Sequence, residues 1–426
     1  MESLSTIRPD DMRRYERKPY SRTINYSVSV LESKDRKLLN LTGKSIDISE
    51  TGICIQTDHP LSPGHILWFD GSIEDKAGFV RWCSQLDNEY RVGIELDRTH
   101  VKDLEEATET FNRRLAEIEK RCSNPEENPE ELLRATSDVL NDMMVACQSF
   151  ERNVSDKDII RDAQIRFREK TNPILSKSYF INRARTWPQG YQGDYKMLEN
   201  TYRNAPLSEG IGYYLDLFSL NNPVAVAVKN RMKKLRDILG EELQKRNKPS
   251  VLNIACGSCR EVFELVAEIE KSGAKFTCID LDNDALAFAA NRLSFTNISP
   301  ISSNQIELRK YNAVRMFDHE LNINEFGMQD IIYSVGFFDY LDSDFLAKLF
   351  RSLYKLLNPG GILITSFKDA DRYRHQDYHW IVDWDGFLQR TEADFWSIFH
   401  VASIPASSIS EFREESGIIV FYLVTK

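Results

Sequence analysis

The sequence predicts a multidomain chain: a small β-barrel, then a helical connector, then an α/β doubly wound domain. Three observations predict it. Between about Arg22 and Leu96 apolar residues recur at every second position, as on half-buried strands. From Val101 the apolar period becomes that of a helix, with many charges between. From Val251 strand-like and helix-like segments alternate, the pattern of a mostly parallel sheet covered on both faces. The divisions fall at 1–100, 101–170 and 171–426.

The elements follow in order. Ile24, Tyr26, Val28 and Val30 alternate with polar residues, and Ile46 to Ile55, Ile66 to Phe69, Gly78 to Cys83 and Tyr90 to Leu96 continue the series. Turn signals at Leu61-Ser-Pro-Gly64 and Asp87-Asn88 separate them, so a small barrel is expected. Leu104, Phe111, Leu115 and Ile118 then share a helix face, and Ser123-Asn-Pro-Glu-Glu-Asn-Pro129 breaks it. Leu132, Val139, Leu140, Met143 and Cys147 mark a second helix, and Ile159 to Phe167 a third. This connector is a candidate homodimer surface, although charged helical faces are more often solvated. Val251 to Ala255, Phe276 to Ile279, Asp330 to Ser334, Gly361 to Ser366 and Gly417 to Thr425 are the expected strands of the last region. Helices are expected over Glu261 to Ile269, Ala285 to Leu293 and Phe345 to Leu357.

Bulk properties bound the function. The 426 residues suffice for two or three cores, and 42% hydrophobic with 28% charged residues is ordinary for globular chains. A net charge of -10 argues against nucleic acid as a partner. No apolar run approaches the ~20 residues of a membrane span, and no signal-peptide core opens the chain, so a cytoplasmic location is expected. Seven scattered cysteines do not read as a disulfide framework. Cys256-Gly-Ser-Cys259 spells CxxC without a second pair or nearby histidines, so no metal site is expected.

A basic segment with Arg13, Arg14 and Arg17 precedes Asp47-Ile-Ser49-Glu-Thr-Gly52 by about thirty residues. Guanidinium forks hold phosphates in two-pronged fashion and stack on purines. Asp47 and Ser49 offer hydrogen-bonding groups to a guanine edge, and Gly52 permits a turn that a Cβ would obstruct. Together these residues resemble the RxxxR and (D/N)xSxxG signature of the PilZ family, which binds the bacterial second messenger cyclic di-GMP. The resemblance runs from about residue 10 to 98, through Gly78-Phe-Val-Arg81-Trp82 and Tyr90-Arg-Val-Gly93-Ile-Glu-Leu96. It implies that Arg13, Arg14, Arg17, Asp47, Ser49 and Gly52 hold the messenger.

In the last region, Ala255-Cys256-Gly257-Ser258-Cys259 joins the first strand to its helix, where a close-approaching ligand needs a small backbone. Asp280 ends the second strand, where a carboxylate can accept both hydroxyls of a ribose. This ordering is similar to class I S-adenosylmethionine-dependent methyltransferases, with a Rossmann-like fold. The resemblance implies that Gly257 passes under the methionine portion, Asp280 holds the ribose and Leu281 flanks the adenine, which Asn312 and Ala313 also contact. Ala255 and Cys259 stand where that family often has glycine, and Asn253 where it often has an acid.

A narrower resemblance covers about 170–426. It rests on Trp187-Pro-Gln-Gly190-Tyr191-Gln-Gly193-Asp194-Tyr195, on Val228-Lys-Asn230-Arg231 at a helix end, and on Phe337-Phe338-Asp339-Tyr340-Leu341. Asp383-Trp384 and Arg390-Thr391 complete it. This set resembles bacterial enzymes that make the methyl ester of 3-hydroxypalmitic acid. A carboxylate nucleophile is already ionised and needs alignment and desolvation rather than a base. Catalytic residues stay unassigned, with Tyr191, Asp194 and His379 as candidates. Gly190 to Asp194 is the expected lid, Arg231 a carboxylate partner, and His375 or His379 a base for a hydroxyl acceptor.

The expectation is a cyclic di-GMP-responsive methyltransferase of bacterial signalling, acting on a small molecule or fatty-acid-type carboxylate. The rival is a non-catalytic cyclic di-GMP effector whose methyltransferase-like domain binds a partner protein.

Overall fold

Period-two patterning in the first unit, Met1–Ile174, produces strands β1 (Lys18–Pro19), β2 (Thr23–Glu32), β3 (Asp35–Ile48), β4 (Gly52–Thr57), β5 (Ile66–Phe69), β6 (Ala77–Leu86) and β7 (Glu89–Leu96). The structure is a computed structural model that describes residues 17–32, 35–49, 52–71, 73, 77–96, 100–154, 157–294 and 305–426. Antiparallel pairing runs β2–β5–β6–β7–β4–β3 and returns from β3 to β2, so six strands close a barrel, with β1 added to β3. Closure leaves no edge among those six. Ile24, Tyr26, Val28, Ile53, Ile55, Val92 and Ile94 fill the interior. The expected strand Ile46 to Ile55 is two strands, because the chain reverses between Ile48 and Gly52.

Three helices follow in the same unit: α1 (His100–Arg121), α2 (Pro129–Asn153) and α3 (Lys157–Leu175). Asn128 caps α2 by accepting from Glu130 N at 2.9 Å, with Pro129 in the first turn, where its missing N–H is harmless. The apolar faces read from the sequence are buried, from Leu104 and Phe111 through Met143 and Cys147. Arg166 of α3 ties the helices to the barrel. Its guanidinium lies 4.6 Å from the Trp68 ring centroid, donates to Ser27 Oγ at 2.8 Å and pairs with Glu105 of α1 at 3.2 Å.

The second unit, Leu175–Lys426, begins with α4 (Tyr179–Thr186), α5 (Tyr195–Arg203), α6 (Ile211–Asn221) and α7 (Pro223–Lys245). Alternation then gives β8 (Ser250–Ile254), α8 (Arg260–Glu264), α9 (Val266–Ser272), β9 (Lys275–Asp280), α10 (Asn283–Ser294), β10 (Ile306–Lys310), α11 (His319–Phe326) and β11 (Gln329–Val335). The chain ends with α12 (Ser343–Leu356), β12 (Leu357–Lys368), α13 (Glu392–Val401), β13 (Ile409–Arg413) and β14 (Ile419–Thr425). The sheet order is β10–β9–β8–β11–β12–β14–β13, parallel through β12 and antiparallel at β14 and β13. β8 sends Val251 into one core and Leu252 and Ile254 into the other, as a strand covered on both faces must. Neighbouring strands leave β8 in opposite directions through the order, which places a ligand site at the carboxyl ends of β8 and β11.

Three expectations change. The helix Glu261 to Ile269 is two short helices, broken at Leu265. Arg231 lies in the middle of α7 rather than at a helix end. β10 and β13 are edge strands whose alternating charges hid them in the sequence.

Candidate functional site

In the first unit Arg17, Asp47, Ser49 and Gly52 meet at the β3–β4 turn. The Arg17 guanidinium pairs with Asp47 Oδ1, and Arg91 Nη2 lies 3.8 Å from Asp47 Oδ2. Ser49 N donates to Gly52 O at 2.7 Å, and its hydroxyl donates to the same carbonyl at 3.3 Å. A Cβ on Gly52 would stand 2.8 Å from Ile94 O and 3.4 Å from Arg17 Nη2, so only glycine lets the turn sit on β7 beside that arginine. Arg13 and Arg14 lie outside the described residues. Arg91 was not singled out from the sequence; its signal is its register opposite Gln56 on β4, one outward step from Cys54, whose sulfur accepts from its Nε at 3.4 Å.

In the second unit the turn after β8 is held from both sides. Cys256 N donates to Ile279 O at 3.0 Å, and Gly257 N donates to Asp280 Oδ2 at 2.8 Å. Asp280 Oδ1 accepts from Asp282 N at 2.9 Å, and both oxygens keep acceptor capacity. Burial raises the Asp280 carboxyl above its ordinary range against the pull of these backbone donors. Ala255 (φ 55) and Cys259 (φ 48) adopt the left-handed conformation beside Gly257 (φ 53). A residue with a Cβ pays roughly 1–2 kcal/mol there. The turn therefore keeps its shape where glycines are missing. Cys256, Cys259 and Cys278 are free and buried around it, and no metal-holding group is found among the described residues.

Asp280, Leu281, Asn312, Ala313 and Gly257 all line one cavity of about 1150 Å³. That exceeds the ~300–1,000 Å³ typical of a site for one small ligand. The Asn312 side chain also accepts from Val314 N at 3.1 Å, which fixes the following turn. Much of the remaining lining is apolar and comes from α4, α6, α7 and the segment 378–384, including Phe180, Phe218, Val224, Val228, Ile381 and Trp384.

The segment Trp187 to Gly193 covers part of this cavity. It bends through Trp187 (φ 44), Gly190 (φ 81) and Gly193 (φ 66). Tyr191 donates to Asp282 Oδ2 at 2.8 Å, and Gln189 Nε2 donates to Asp284 Oδ2 at 3.3 Å. Burial and the Asp282 carboxylate push the Tyr191 phenol far up, so it is a neutral donor rather than a base. Asp194 caps α5, accepting from Lys196 N at 2.9 Å and Met197 N at 3.0 Å, and Arg183 grips it two-pronged at 2.9 Å. Its oxygens are thereby committed to structure. His375 and His379 are not among the lining residues; His379 Nδ1 lies 3.4 Å from Asp385 Oδ1.

Sequence reasoning passed over Glu199, Lys368 and Asp282. Glu199, 3% exposed on α5, accepts from Ser258 Oγ and Arg292 Nη1 at 2.6 Å each, and Arg260 Nη1 at 3.3 Å. It joins α5 to the glycine turn, α8 and α10. Lys368, at the carboxyl end of β12, lines the cavity and pairs with buried Asp339 at 2.8 Å. Arg231 lines the cavity too, is 3% exposed, and its Nε has no hydrogen-bond acceptor. No motif marks Glu199, Lys368 or Asp282, since each acts through a partner distant in sequence, whereas Arg231 was expected as a carboxylate partner.

No curated protein matches the sequence. Among solved structures, similarity is found to a possible exported protein from Bordetella parapertussis (16% identity, 77% of this chain and 97% of that one, TM-score 0.46). A magnesium protoporphyrin IX methyltransferase from Synechocystis, with bound SAH, is 13% identical over 64% of this chain and all of its own (100%), with a TM-score of 0.39. An O-methyltransferase family protein from Burkholderia thailandensis is 15% identical over 48% of this chain and 59% of its own, with a TM-score of 0.36. No helix among the described residues is long and apolar enough to cross a membrane. Residues 11–110 match the PilZ domain family and residues 252–363 match the family described as a methyltransferase domain. The chain therefore carries a PilZ domain and, after it, a methyltransferase domain.

Proposed function

We propose that this protein is a cyclic di-GMP-responsive, S-adenosylmethionine-dependent methyltransferase acting on a fatty-acid-type carboxylate. The observation that carries the reading is one large cavity, which joins the Gly257 turn and Asp280 to a broad apolar lining. S-adenosylmethionine, when bound, supplies an electrophilic methyl carbon on a sulfonium. Asp280 would accept from the ribose hydroxyls, the bare backbone at Gly257 would admit the amino-acid portion, and Leu281, Asn312 and Ala313 would border the adenine. The apolar wall excludes water and holds the acceptor's chain, leaving its head group to be aligned near the carboxyl ends of β8 and β11. An ionised carboxylate needs no base, which suits a cavity whose Tyr191 is a donor and whose histidines lie elsewhere.

Arg17, Asp47, Ser49 and Gly52, with Arg13 and Arg14, are the proposed messenger site. Cyclic di-GMP bound there shifts cofactor affinity or turnover. The rival reading, a non-catalytic effector, draws on Ala255 and Cys259 in the cofactor turn. Both residues nonetheless take the left-handed conformation the turn requires.

Calorimetry with S-adenosylmethionine and cyclic di-GMP, each alone and then together, tests the scheme. Each ligand is expected to change the other's affinity by the same factor, roughly five- to a hundredfold. Identical isotherms, with unchanged methyl transfer to dodecanoate, would leave two independent domains. No S-adenosylmethionine binding at all would favour the effector.

A further inference from the structure

The cavity contains a buried cation, Arg231, that no carboxylate pairs with among the described residues. Arg231 reaches it from α7, 3% exposed, with its Nη atoms packed over Gly336 at the carboxyl end of β11. A Cβ on Gly336 would stand 3.0 Å from Nη1. The Tyr202 phenol lies close enough to feel the guanidinium's charge, and Nε has no acceptor. No carboxylate pairs with Arg231 among the described residues, and the nearby acids are engaged elsewhere. Asp339 is neutralised by Lys368 at 2.8 Å. Asp377 pairs with Arg374 at 2.9 Å and accepts from Asn222 Nδ2 at 3.1 Å. Glu261 accepts from Asn253 Nδ2 and Tyr333 Oη at 2.8 Å each, and burial raises its carboxyl toward the neutral form. Asp280, Asp282 and Asp284 also line the cavity, at the cofactor turn, so the cavity as a whole is not cationic. Arg231 itself is buried without an ion-pair partner among the described residues, where an unpaired ion is costly.

We propose that Arg231 makes the acceptor site selective for charge: it holds the ionised acid and lets go of the ester that methylation produces. This rests on the carboxylate reading above. In the transfer, a lone pair of the carboxylate oxygen forms the new O–C bond as the C–S bond breaks, its electron pair passing to sulfur. The anion and the sulfonium both end neutral, and no proton is taken up or released. The guanidinium then faces a neutral ester whose carbonyl accepts a weaker hydrogen bond than a carboxylate does. Substrate affinity and product release thus have one cause. Lys368, which also lines the cavity, is held by Asp339 and lies 4.1 Å from the Phe387 ring centroid, so its charge is already matched.

The test is calorimetry on the full chain saturated with S-adenosylhomocysteine, which permits binding without turnover. Dodecanoate, methyl dodecanoate and dodecan-1-ol share one chain and differ in the head group. Wild type is expected to bind dodecanoate about ten- to a hundredfold more tightly than the other two, the range for a charge-assisted contact. Arg231→Met should erase that preference and leave ester and alcohol binding unchanged, while Arg231→Lys should keep part of it. A collapsed site would weaken all three ligands alike, and S-adenosylhomocysteine affinity reports whether the variant is folded. Equal acid-over-ester preference in wild type and Arg231→Met overturns the proposal, as does a wild type that holds the ester as tightly as the acid. Failure of wild type to bind S-adenosylhomocysteine strikes instead at the methyltransferase reading on which it rests.

Discussion

Replacing Glu199 by alanine should damage the second unit more than any single surface change, because its carboxylate is the common acceptor of three elements. Arg292 of α10 donates to it through both terminal nitrogens, Ser258 of the glycine turn donates at 2.6 Å, and Arg260 of α8 at 3.3 Å. Arg260 keeps Glu264, at 2.6 Å, when Glu199 is gone. Among the described residues Arg292 keeps only the Phe263 and Phe288 rings, 5.6 and 4.8 Å from its guanidinium carbon, and the Ser258 carbonyl at 3.4 Å. Removing one partner of a buried pair leaves the other charge uncompensated, a loss of about 3–5 kcal/mol. For a unit of this size that corresponds to a midpoint about 6–20 °C lower. Arg292→Ala alone should cost a similar amount, and the double variant much less than the sum, because the two act as a pair.

The assay is thermal unfolding of the full chain followed by tryptophan fluorescence, with S-adenosylmethionine affinity measured well below the transition. Burial raises the Glu199 carboxyl, but Arg292 and Ser258 outweigh it and hold the folded value below the ordinary 4.5. The sign follows: the stabilisation is complete above the unfolded value and is lost as pH falls through the folded one. Wild type should therefore lose stability on acidification below about pH 4.5, and Glu199→Gln should flatten that limb. Alanine and wild type melting together, with equal cofactor affinity, would refute the reasoning.

Two further outcomes are expected. Asp280→Ala should abolish detectable S-adenosylmethionine binding and leave cyclic di-GMP binding intact, read by calorimetry, since the two residues' sites belong to separate compact units. Arg17→Ala should weaken cyclic di-GMP roughly ten- to a hundredfold, with lysine rescuing only in part. Because the Arg17–Asp47 pair is partly exposed, the same change should move stability by no more than about 1 kcal/mol, read by urea unfolding.

What was legible in the sequence was what short-range chemistry dictates. The Asp47–Gly52 turn needs its glycine against Ile94 O, and Asp280 ends an apolar strand, so both sites could be read from local residue types. The barrel strands were legible because one face is dry and the other wet. The covering layer of α4 to α6 was not, because its helices are short and packed in several directions at once; α6 is apolar on most of its surface. β10 carries charge at alternate positions as an edge strand and so reads as loop. Glu199 and Arg292 are 93 residues apart, and Asp339 and Lys368 are 29 apart. Nothing local distinguishes those carboxylates from solvated ones.

The two proposed sites treat their cations differently, and the difference has consequences for the ligands. Arg17 sits at a partly exposed turn and is neutralised by Asp47, so a phosphate must displace or share that carboxylate to reach it. Water can take over the displaced carboxylate, and the exchange is nearly balanced until further contacts tip it. Discrimination there must come from several groups acting together, as a turn with Asp47, Ser49 and Arg91 within reach provides. Among the described residues Arg231 has no such carboxylate partner, and it has little access to water. On the proposed reading, its attraction for an anion is felt without an ion pair to break first, and is weakened once the anion is esterified. A paired arginine suits a messenger that must come and go with its concentration; an unpaired, buried one suits a substrate that must be told apart from its own product.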